Sequence, residues 1–468
     1  MEEPSPAELA KARIDTRALV LFRDVFADEI GQRFVQLLDA AAAPDETAPA
    51  ARAERIVAAF SALSGALIEQ VLAAGEGDGP TPGAWRSYVA ARILHSDNCF
   101  TRLAERGGHR GIPPSLARVA AADLFRLQRL ARLDPERLIA CAEATLPERW
   151  RGELARPPKA SEETEGWPSL LGDDWSEAVD RLADHIHRRG AGEFGRHHFF
   201  RWTHRAGGGR LEPVLHPDPT RLEDLIGYDA ERAVVIRNTE KLIRGLPAHN
   251  VLLYGDRGTG KSATVKALVH RYAPAGLRLI EVSKSDLHGL GDLLQRLAER
   301  GLAFIIFIDD LSFEESETAY KELKALFEGS AAARPQNVVL YATSNRRHLI
   351  REEFSDRAEG PLGRADDEIH RADTVQEKLS LADRFGLTVI FPSPDQAAYL
   401  AIVAGLVRRR GLVIDPAELR QRALRWAAWQ NGWSARSARQ FVDELQGDLG
   451  LEKAASGAPS AAALMREG

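Results

Sequence analysis

The sequence predicts an α/β protein: a core with a parallel sheet, preceded by an all-helical N-terminal domain and followed by a C-terminal helical lid. Residues 17–146 carry apolar side chains at helical spacing, and residues 395–445 do so again. Between them, short apolar runs alternate with helical patterns, which is typical of a doubly wound parallel sheet. The runs that we interpret as strands are 251–254, 277–282, 304–308, 338–342 and 388–391.

The length of 468 residues exceeds that of one usual domain and favours two to four. The prediction of a helical N-terminal domain rests on an apolar stripe with the spacing of an α-helix: Leu19, Phe22, Phe26, Ile30, Phe34 and Leu37. A polar, Pro-containing stretch follows it, and two short strand-like runs then surround a Gly-rich turn. We predict these boundaries: the helical N-terminal domain at 1–150, a linker with a helix and a short β-hairpin at 151–215, the α/β core at 216–394, the helical lid at 395–450 and a disordered, Ala/Ser/Gly-rich tail at 451–468.

The composition excludes several classes of protein. The formal net charge of −6 argues against a protein that coats nucleic acid along its whole surface. The two cysteines, Cys99 and Cys141, exclude a disulfide framework and a cysteine-based zinc site, which fits a reducing compartment. The first residues lack the basic and then apolar order of a signal peptide, and no run reaches the apolar length of a membrane span. We therefore expect a cytoplasmic protein without a membrane partner.

The segment 255–262 fills every fixed position of the phosphate-binding pattern Gly-x-x-x-x-Gly-Lys-Ser/Thr, the P-loop. Its glycines let several backbone N–H groups point at one anion, and the N-terminus of the following helix adds partial positive charge. Lys261 can reach the β- and γ-phosphates of a nucleotide, and the Ser262 hydroxyl can ligate Mg²⁺. The residues that we expect to bind the nucleotide in this loop are Gly255, Asp256, Arg257, Gly258, Thr259, Gly260, Lys261 and Ser262.

Two further predicted strands deliver polar residues at their C-terminal ends, beside the loop. The first is followed by Asp309, which we expect to hold Mg²⁺ through water, and by Asp310, which we expect to orient an attacking water. The second leads to Asn345. An isolated Asn after a strand is usually a turn former, but after these two motifs it indicates a sensor of the γ-phosphate and the lytic water. The sequence thus predicts a site for a Mg²⁺–nucleoside triphosphate and an activated water.

This series of a Walker A loop, a Walker B strand and a sensor Asn resembles the AAA+ ATPases, a branch of the P-loop NTPases. The segment 381–387 is similar to the stretch that carries the arginine finger in that superfamily's branch-migration motors and initiators. The resemblance implies that Arg384 reaches the ATP of a neighbouring subunit. It therefore implies a homo-oligomer, either a ring or a partial ring, with ATP and Mg²⁺ as ligands.

Two other segments resemble the parts of an AAA+ protein that sense the nucleotide and surround its base. The segment 432–439 is similar to the second sensor, with Arg436 as the matching residue. The segment 225–228 is similar to the one that packs around adenine, which implies base contacts for Ile226 and Tyr228. More narrowly, several strings resemble a bacterial AAA+ family known only as a domain of unknown function: 253–262, 308–314, 342–349 and 377–381. That narrower resemblance implies the fold and the ATPase activity, and gives no client.

Two departures from the wider superfamily bear on function. Most AAA+ motors place Glu where this chain has Asp310, and Asp is one methylene shorter. We therefore expect slow hydrolysis unless Glu314 supplies a second carboxylate. The segment 283–290 lacks the aromatic residue of a protein-threading pore loop, which favours a loader, a remodeller or a switch over an unfoldase. The insertion 355–374, which contains His370, has the composition of a solvated loop more than of a metal site.

We therefore predict an AAA+ ATPase that hydrolyses ATP-Mg²⁺ to drive conformational remodelling or loading of an unidentified macromolecular partner, with a protein client favoured. One alternative is a nucleotide-dependent switch or scaffold in which hydrolysis is slow. Another is a loader stimulated by nucleic acid, for which the basic runs 346–348 and 408–410 are the candidate contacts. A solvated surface is the default interpretation of those runs, and the acidic net charge agrees with it.

Overall fold

The structure is a computed structural model that describes residues 4–43, 49–74, 85–143, 170–205, 208–311, 335–345, 385–430 and 432–455. The pattern of contacts divides the chain into two compact units. The first comprises Met1–Arg196 and Arg300–Leu302, and the second comprises His197–Glu299 and Ala303–Gly468.

In the first unit, the described secondary structure is helical. Its α-helices are α1 (Pro6–Arg17), α2 (Glu29–Ala41), α3 (Pro49–Ala74), α4 (Trp85–Leu94), α5 (Cys99–Gly107), α6 (Pro114–Arg132), α7 (Pro135–Glu143), α8 (Val179–Arg189) and α9 (Gly192–Arg196). The apolar stripe predicted between residues 19 and 37 is buried, and Phe34 stacks on Trp85 with ring centroids 3.9 Å apart. The buried carboxylate of Asp123 accepts hydrogen bonds from the backbone N–H groups of residues 20–22, which have no helical partners.

Within the described residues of the second unit, seven strands form one sheet: β1 (Phe199–Arg205), β2 (Gly208–Pro213), β3 (Val251–Gly255), β4 (Leu277–Val282), β5 (Ala303–Ile308), β6 (Val338–Ser344) and β7 (Leu387–Phe391). Their order is β2-β1-β4-β5-β6-β3-β7. The pair β1–β2 is antiparallel and the other neighbouring pairs are parallel. Every residue of β5 and β6 is buried, which explains their continuous apolar sequences. The predicted α/β fold with a parallel sheet is confirmed.

The α-helices described in the second unit are α10 (Asp229–Ile243), α11 (Lys261–Tyr272), α12 (Leu290–Ala298), α13 (Gln396–Arg409), α14 (Pro416–Trp429) and α15 (Ala435–Ala455). Helices α13, α14 and α15 pack around an apolar cluster of their own that includes Tyr399, Val403 and Phe441. Asp395 caps α13 by accepting a hydrogen bond from the Ala398 N–H at 2.7 Å, and Asp415 caps α14 in the same way. These three helices correspond to the predicted lid.

The position of the β1–β2 hairpin differs from the prediction, which placed it in a segment between domains. Strand β1 pairs in parallel with β4, with Phe199 opposite Leu279, so the hairpin extends one edge of the sheet. The division between the units accordingly falls at residue 196, inside the predicted segment 151–215. The last helix also continues to Ala455, into the predicted tail. A local sequence indicates that a strand forms, but its partner is set by contacts distant in sequence.

Several predicted features lie outside the described residues. These are Arg384, Glu314, the insertion 355–374 and the basic run 346–348. Among the residues that the structure does describe, no helix combines the length and the apolar character needed to cross a membrane.

Candidate nucleotide-binding site

The segment 255–262 forms a loop between β3 and α11, where the sequence predicts it. Gly255 has a φ of 145°, and a Cβ atom there would lie 1.9 Å from the carbonyl oxygen of Phe391 on β7. Gly258 has a φ of 79°, and its carbonyl oxygen accepts a hydrogen bond from the Arg436 N–H at 3.0 Å. Glycine permits both the backbone angles and the close approach. The loop is thus held between β7 and α15, and the first N–H groups of α11, which lack intrahelical partners, are available to an anion.

The ammonium group of Lys261 is held at the base of this loop. The residue is 4% exposed. Its Nζ donates hydrogen bonds to the carbonyl oxygens of Gly255 and Asp256, each at 2.8 Å, and to Oδ1 of Asn345 at 2.9 Å. Burial lowers the pKa of the Lys261 ammonium to about 8, and the carboxylate of Asp256 is the largest of the charges that oppose this effect. Lys261 therefore has three protein acceptors that phosphate oxygens can replace.

The carboxylate of Asp309 is anchored through one oxygen. Its Oδ1 accepts hydrogen bonds from the hydroxyls of Ser262 and Thr343, each at 2.6 Å, and from the N–H of Asp310 at 3.1 Å. Because Ser262 donates its proton to the carboxylate, the lone pairs of its oxygen stay available to a cation. Among the described residues no hydrogen bond reaches Oδ2 of Asp309. A hydroxyl and a carboxylate are the hard oxygen ligands that Mg²⁺ prefers, so these residues fit that ion.

Asp310 adopts a left-handed backbone conformation with a φ of 51°. Asp is among the few residue types besides glycine that tolerate this conformation. Its N–H also donates to Oγ1 of Thr343 at 2.9 Å, and its Oδ1 accepts a hydrogen bond from Nδ2 of Asn345 at 2.5 Å. Asn345 thus links Lys261 to Asp310, because its amide oxygen accepts from the lysine and its amide nitrogen donates to the carboxylate.

A cleft of about 520 Å³ opens in front of these groups. Arg436 and Arg439 line it from α15, and Leu225 lines it from the segment before α10. A smaller pocket of about 30 Å³ shares Leu225 and Arg439 with the cleft and is also lined by Ile226 and Tyr228. The larger cleft is therefore polar on its floor and cationic on its lid side, and the smaller one is bounded by the predicted base-binding segment.

The segment 225–228 packs against the lid helix α13. A Cβ atom at Gly405 would lie 2.6 Å from Cγ2 of Ile226, so the absence of a side chain at Gly405 makes room for Ile226. Tyr228 has a φ of 58°, and its hydroxyl donates a hydrogen bond to the carbonyl oxygen of Pro392 at 2.7 Å. Burial raises the pKa of the Tyr228 hydroxyl to about 12. The tyrosine is thus fixed at both its backbone and its ring end.

The structure brings most of the predicted residues to the cleft or to the pocket beside it. The predicted residues that line the cleft are Arg257, Gly258, Gly260, Lys261, Ser262, Asp309, Asp310, Asn345 and Arg436. Thr259 lines the smaller pocket together with Ile226 and Tyr228. Gly255 and Asp256 line neither, but their carbonyl oxygens hold Lys261, and the Asp256 carboxylate accepts a hydrogen bond from Ser393. The predicted finger, Arg384, lies outside the described residues.

Three polar residues that were not predicted as site residues also line the cleft: Thr343, Arg439 and Asp218. Two of them had a usable signal. Thr343 lies two residues before Asn345 at the end of a strand, so both project from the same face. Arg439 lies three residues after Arg436 on α15, so both lie on the same side of the helix. Asp218 lies in a loop and had no such signal.

Comparison with known proteins finds a matching family and similar solved structures. The model of a family described as "Protein of unknown function (DUF815)" matches residues 195–449. A solved structure of a mutant RuvB from Thermotoga maritima is similar at 17% identity, covering 50% of this chain and 67% of that chain, with a TM-score of 0.33. No curated protein matches the chain.

Proposed function

This chain belongs to the DUF815 family, and we propose that it is an AAA+ ATPase that binds ATP with Mg²⁺ and hydrolyses it with an activated water. The observation that carries this proposal is the convergence of Lys261, Ser262, Asp309, Asp310 and Asn345 on one cleft. They come from the carboxyl ends of β3, β5 and β6 and from the start of α11, and ligands of open parallel sheets bind at that edge.

The phosphates are bound by backbone and by one side chain. The N–H groups of the loop and of the first turn of α11 surround the β- and γ-phosphates. Lys261 exchanges its carbonyl and amide acceptors for phosphate oxygens, which gives shorter and stronger charge-assisted hydrogen bonds. The negative charge of the nucleotide also favours the ammonium form of this lysine, so its pKa rises when ATP binds.

The attacking water is oriented by Asp310 and Asn345. Ser262 and Asp309 would hold Mg²⁺, whose positive charge would offset the charge on the phosphate oxygens. Asp310 accepts a hydrogen bond from the water and Asn345 contacts the γ-phosphate. The hydrogen bond from the Asn345 amide to Oδ1 of Asp310 leaves the other carboxylate oxygen for the water and the second amide N–H for the γ-phosphate, so Asn345 connects the phosphate with the Asp310 carboxylate.

The lid couples this chemistry to a change of shape. Arg436 and Arg439 line the cleft from α15, and the Arg436 N–H is bonded to the loop at Gly258. Loss of the γ-phosphate therefore alters the contacts that hold the lid. By its resemblance to the finger segment, Arg384 of a neighbouring subunit completes the site, so that the protein acts as a homo-oligomer that remodels or loads an unidentified protein client.

A slow nucleotide-dependent switch is the second candidate, and one observation favours it. The short carboxylate of Asp310 is bonded to Asn345 at 2.5 Å and its backbone is held in the left-handed conformation. A carboxylate restrained in this way and one methylene shorter than Glu reaches an attacking water less readily, and catalysis is sensitive to such displacements. In this case ATP binding sets the assembled state and hydrolysis only resets it.

Nucleotide binding is tested by a matched pair of lysine variants on α11. Lys261→Ala removes the buried ammonium at the loop, and we expect ATP affinity to fall about tenfold or more. Lys266→Ala removes the same charge from a side chain that lies over the Phe307 ring, 6.0 Å from its centroid, and should bind ATP as the wild type does. Calorimetric titration measures both, and equal affinities for wild type and Lys261→Ala would contradict the proposed site.

Hydrolysis is tested with Asp310→Asn, since Asn also tolerates a left-handed backbone and keeps the side-chain shape. We expect this variant to bind ATP normally and to retain it unhydrolysed, because it lacks the charge that orients the water. Steady-state phosphate release by the wild type must exceed that of the variant for the ATPase proposal to hold. A wild type that binds ATP and turns over no faster than Asp310→Asn is a switch.

A further inference from the structure

Thr343 places a buried hydroxyl at the floor of the cleft, where it contacts both acidic residues. It lies near the end of β6 and is 2% exposed. Its Oγ1 donates a hydrogen bond to Oδ1 of Asp309 at 2.6 Å and accepts one from the N–H of Asp310 at 2.9 Å. The hydroxyl thus donates its proton to the carboxylate of Asp309, and a lone pair of its oxygen accepts the backbone N–H of Asp310.

The register of the sheet places this hydroxyl. Strands β5 and β6 are parallel neighbours, with Ile308 opposite Ala342, so the next residue of each strand lies at the same edge of the sheet. Asp309 is therefore beside Thr343 from the backbone upward. The Leu311 N–H donates to the Thr343 carbonyl oxygen at 2.7 Å, which returns the chain after Asp310 to the end of β6. The backbone N–H groups of Asp310 and of the residue after it are thus both bonded to Thr343.

This arrangement decides which atoms of the acidic pair face the ligand. The Thr343 hydroxyl and the Ser262 hydroxyl occupy the same oxygen of Asp309, Oδ1, and so fix the rotation of the carboxylate. The hydrogen bond to the Asp310 N–H supports a backbone conformation with a φ of 51° that a non-glycine residue rarely adopts. A small rotation of either carboxylate displaces its oxygen atoms, and the rate of a catalysed reaction is sensitive to such displacements.

We propose that Thr343 is a positioning residue for the ATPase reaction: its hydroxyl orients Asp309 toward Mg²⁺ and holds Asp310 in the conformation that faces the attacking water. The inference rests on the proposed ATPase function and adds a residue to it. Thr343 acts through the two acids, so its loss should reduce turnover and the response to Mg²⁺ while leaving phosphate binding by the loop in place.

The test compares Thr343→Val with Thr343→Ser. Valine replaces the hydroxyl by a methyl group of similar size, and we expect kcat to fall about tenfold or more with KM changed by less than about threefold. The concentration of Mg²⁺ needed for half-maximal turnover should rise by a similar factor. Serine restores the hydroxyl, and with it kcat and the Mg²⁺ response to within about threefold of wild type.

Thr239→Val is the matched control, because it removes another buried hydroxyl of the same unit. The Thr239 hydroxyl donates to the carbonyl oxygen of Val235 at 2.9 Å and contacts the Tyr341 hydroxyl at 2.8 Å, and it does not line the cleft. We expect this variant to lose thermal stability to a comparable extent and to keep the wild-type kcat and Mg²⁺ response. If Thr343→Val does not fold, Thr343→Ala takes its place in the same comparison.

The outcomes separate this inference from the ATPase proposal. Turnover of Thr343→Val at the wild-type rate overturns the inference and leaves the ATPase proposal standing. The same holds if kcat and ATP affinity fall together in Thr343→Val and Thr343→Ser restores neither. If the wild type binds ATP without turning it over, the ATPase proposal fails. The catalytic part of the inference then fails with it, and the ratio of ATP affinities with and without Mg²⁺ tests the remaining part, the orientation of Asp309: equal ratios in wild type and Thr343→Val overturn it, and a loss restored by serine supports it. A wild type that binds no ATP overturns both.

Discussion

Lys261 is buried, yet the proposed function requires it to carry a charge when it binds phosphate, and we expect this conflict to make ATP binding depend on pH. Burial lowers the pKa of its ammonium to about 8 in the nucleotide-free protein. Bound phosphates favour the charged form, so the pKa in the complex is higher than in the free protein. Below about pH 8 this lysine is protonated in both states, so its titration adds no pH dependence to the affinity. Above it the free protein has lost the proton and must take one up on binding, so affinity falls as pH rises.

We therefore expect ATP affinity to weaken by up to about tenfold per pH unit above pH 8, until the pKa of the complex is reached. Calorimetry at pH 7, 8 and 9 in buffers of different ionisation enthalpy measures both the affinity and the proton taken up. Lys261→Ala is the control, because it should bind weakly and lose this dependence. An affinity that is the same at pH 7 and pH 9 would contradict the proposed role of the lysine.

At this scale the sequence predicted the residues whose roles follow from a local pattern. The loop 255–262, Asp309, Asp310 and Asn345 each follow a recognisable strand. Thr343 was not predicted as a site residue, because threonine is an ordinary strand residue and its importance depends on the pairing of β5 with β6. The left-handed backbone of Asp310 could not be predicted from the sequence either. It supplies a physical reason for Asp in place of Glu, since Asp tolerates that conformation more readily.

At the scale of elements, the contact between α13 and the segment 225–228 connects the lid with the pocket beside the phosphate loop. Gly405 on α13 leaves room for the side chain of Ile226, and a Cβ atom there would lie 2.6 Å from Cγ2. Alanine at a helix interior position favours the helix by about 1 kcal/mol over glycine. Gly405→Ala thus strengthens α13 locally and displaces Ile226.

We expect Gly405→Ala to weaken ATP binding several-fold, because the segment 225–228, which is predicted to contact the base, must move away from the lid. Gly447→Ala is the matched control: it lies in α15, and a Cβ atom at that position meets nothing within 4 Å beyond its own helix. That variant should gain roughly 0.5–1 kcal/mol of stability and keep the wild-type ATP affinity. Thermal unfolding and calorimetry measure the two effects, and unchanged ATP affinity in Gly405→Ala would disprove the coupling.

The elements themselves were largely predictable, and their partners were not. Strands β3 to β7 lie where the apolar runs predicted them, because buried parallel strands have continuous apolar sequences. The β1–β2 hairpin was recognised as two strands, but its place in the sheet depends on the pairing of β1 with β4, about 80 residues later along the chain. The same holds for the approach of Ile226 to Gly405, which joins a loop segment to a helix about 180 residues later in the chain.

At the scale of the whole molecule, the family match and the division of the chain coincide. The family model begins at residue 195, and the second unit begins at His197. The sheet, the loop and the lid therefore constitute the part shared with the family, and the cleft is made entirely from residues of that unit. The remaining question at this scale is whether one chain is sufficient for hydrolysis.

We expect one chain to be insufficient, because the segment 381–387 resembles the superfamily's arginine finger and a finger acts on the nucleotide of the neighbouring subunit. Arg384→Ala should keep its ATP affinity, since the loop, Lys261 and Asp309 are intact in each chain. It should lose hydrolysis by a factor of about a thousand or more, the effect expected when such a cation is removed. Phosphate release and calorimetry on the same preparation separate the two quantities.

Mixed oligomers provide the decisive measurement. Lys261→Ala damages the loop of its own site and Arg384→Ala damages the site of its neighbour, so an equal mixture should contain intact sites at about a quarter of its interfaces and regain activity. A mixture of Lys261→Ala with Asp310→Asn is the matched control, because each of these variants damages its own site and none of the interfaces is intact. Recovery in the first mixture and none in the second requires a shared site. A dilute monomer that hydrolyses ATP at the full rate, with or without Arg384, would show instead that each chain works alone.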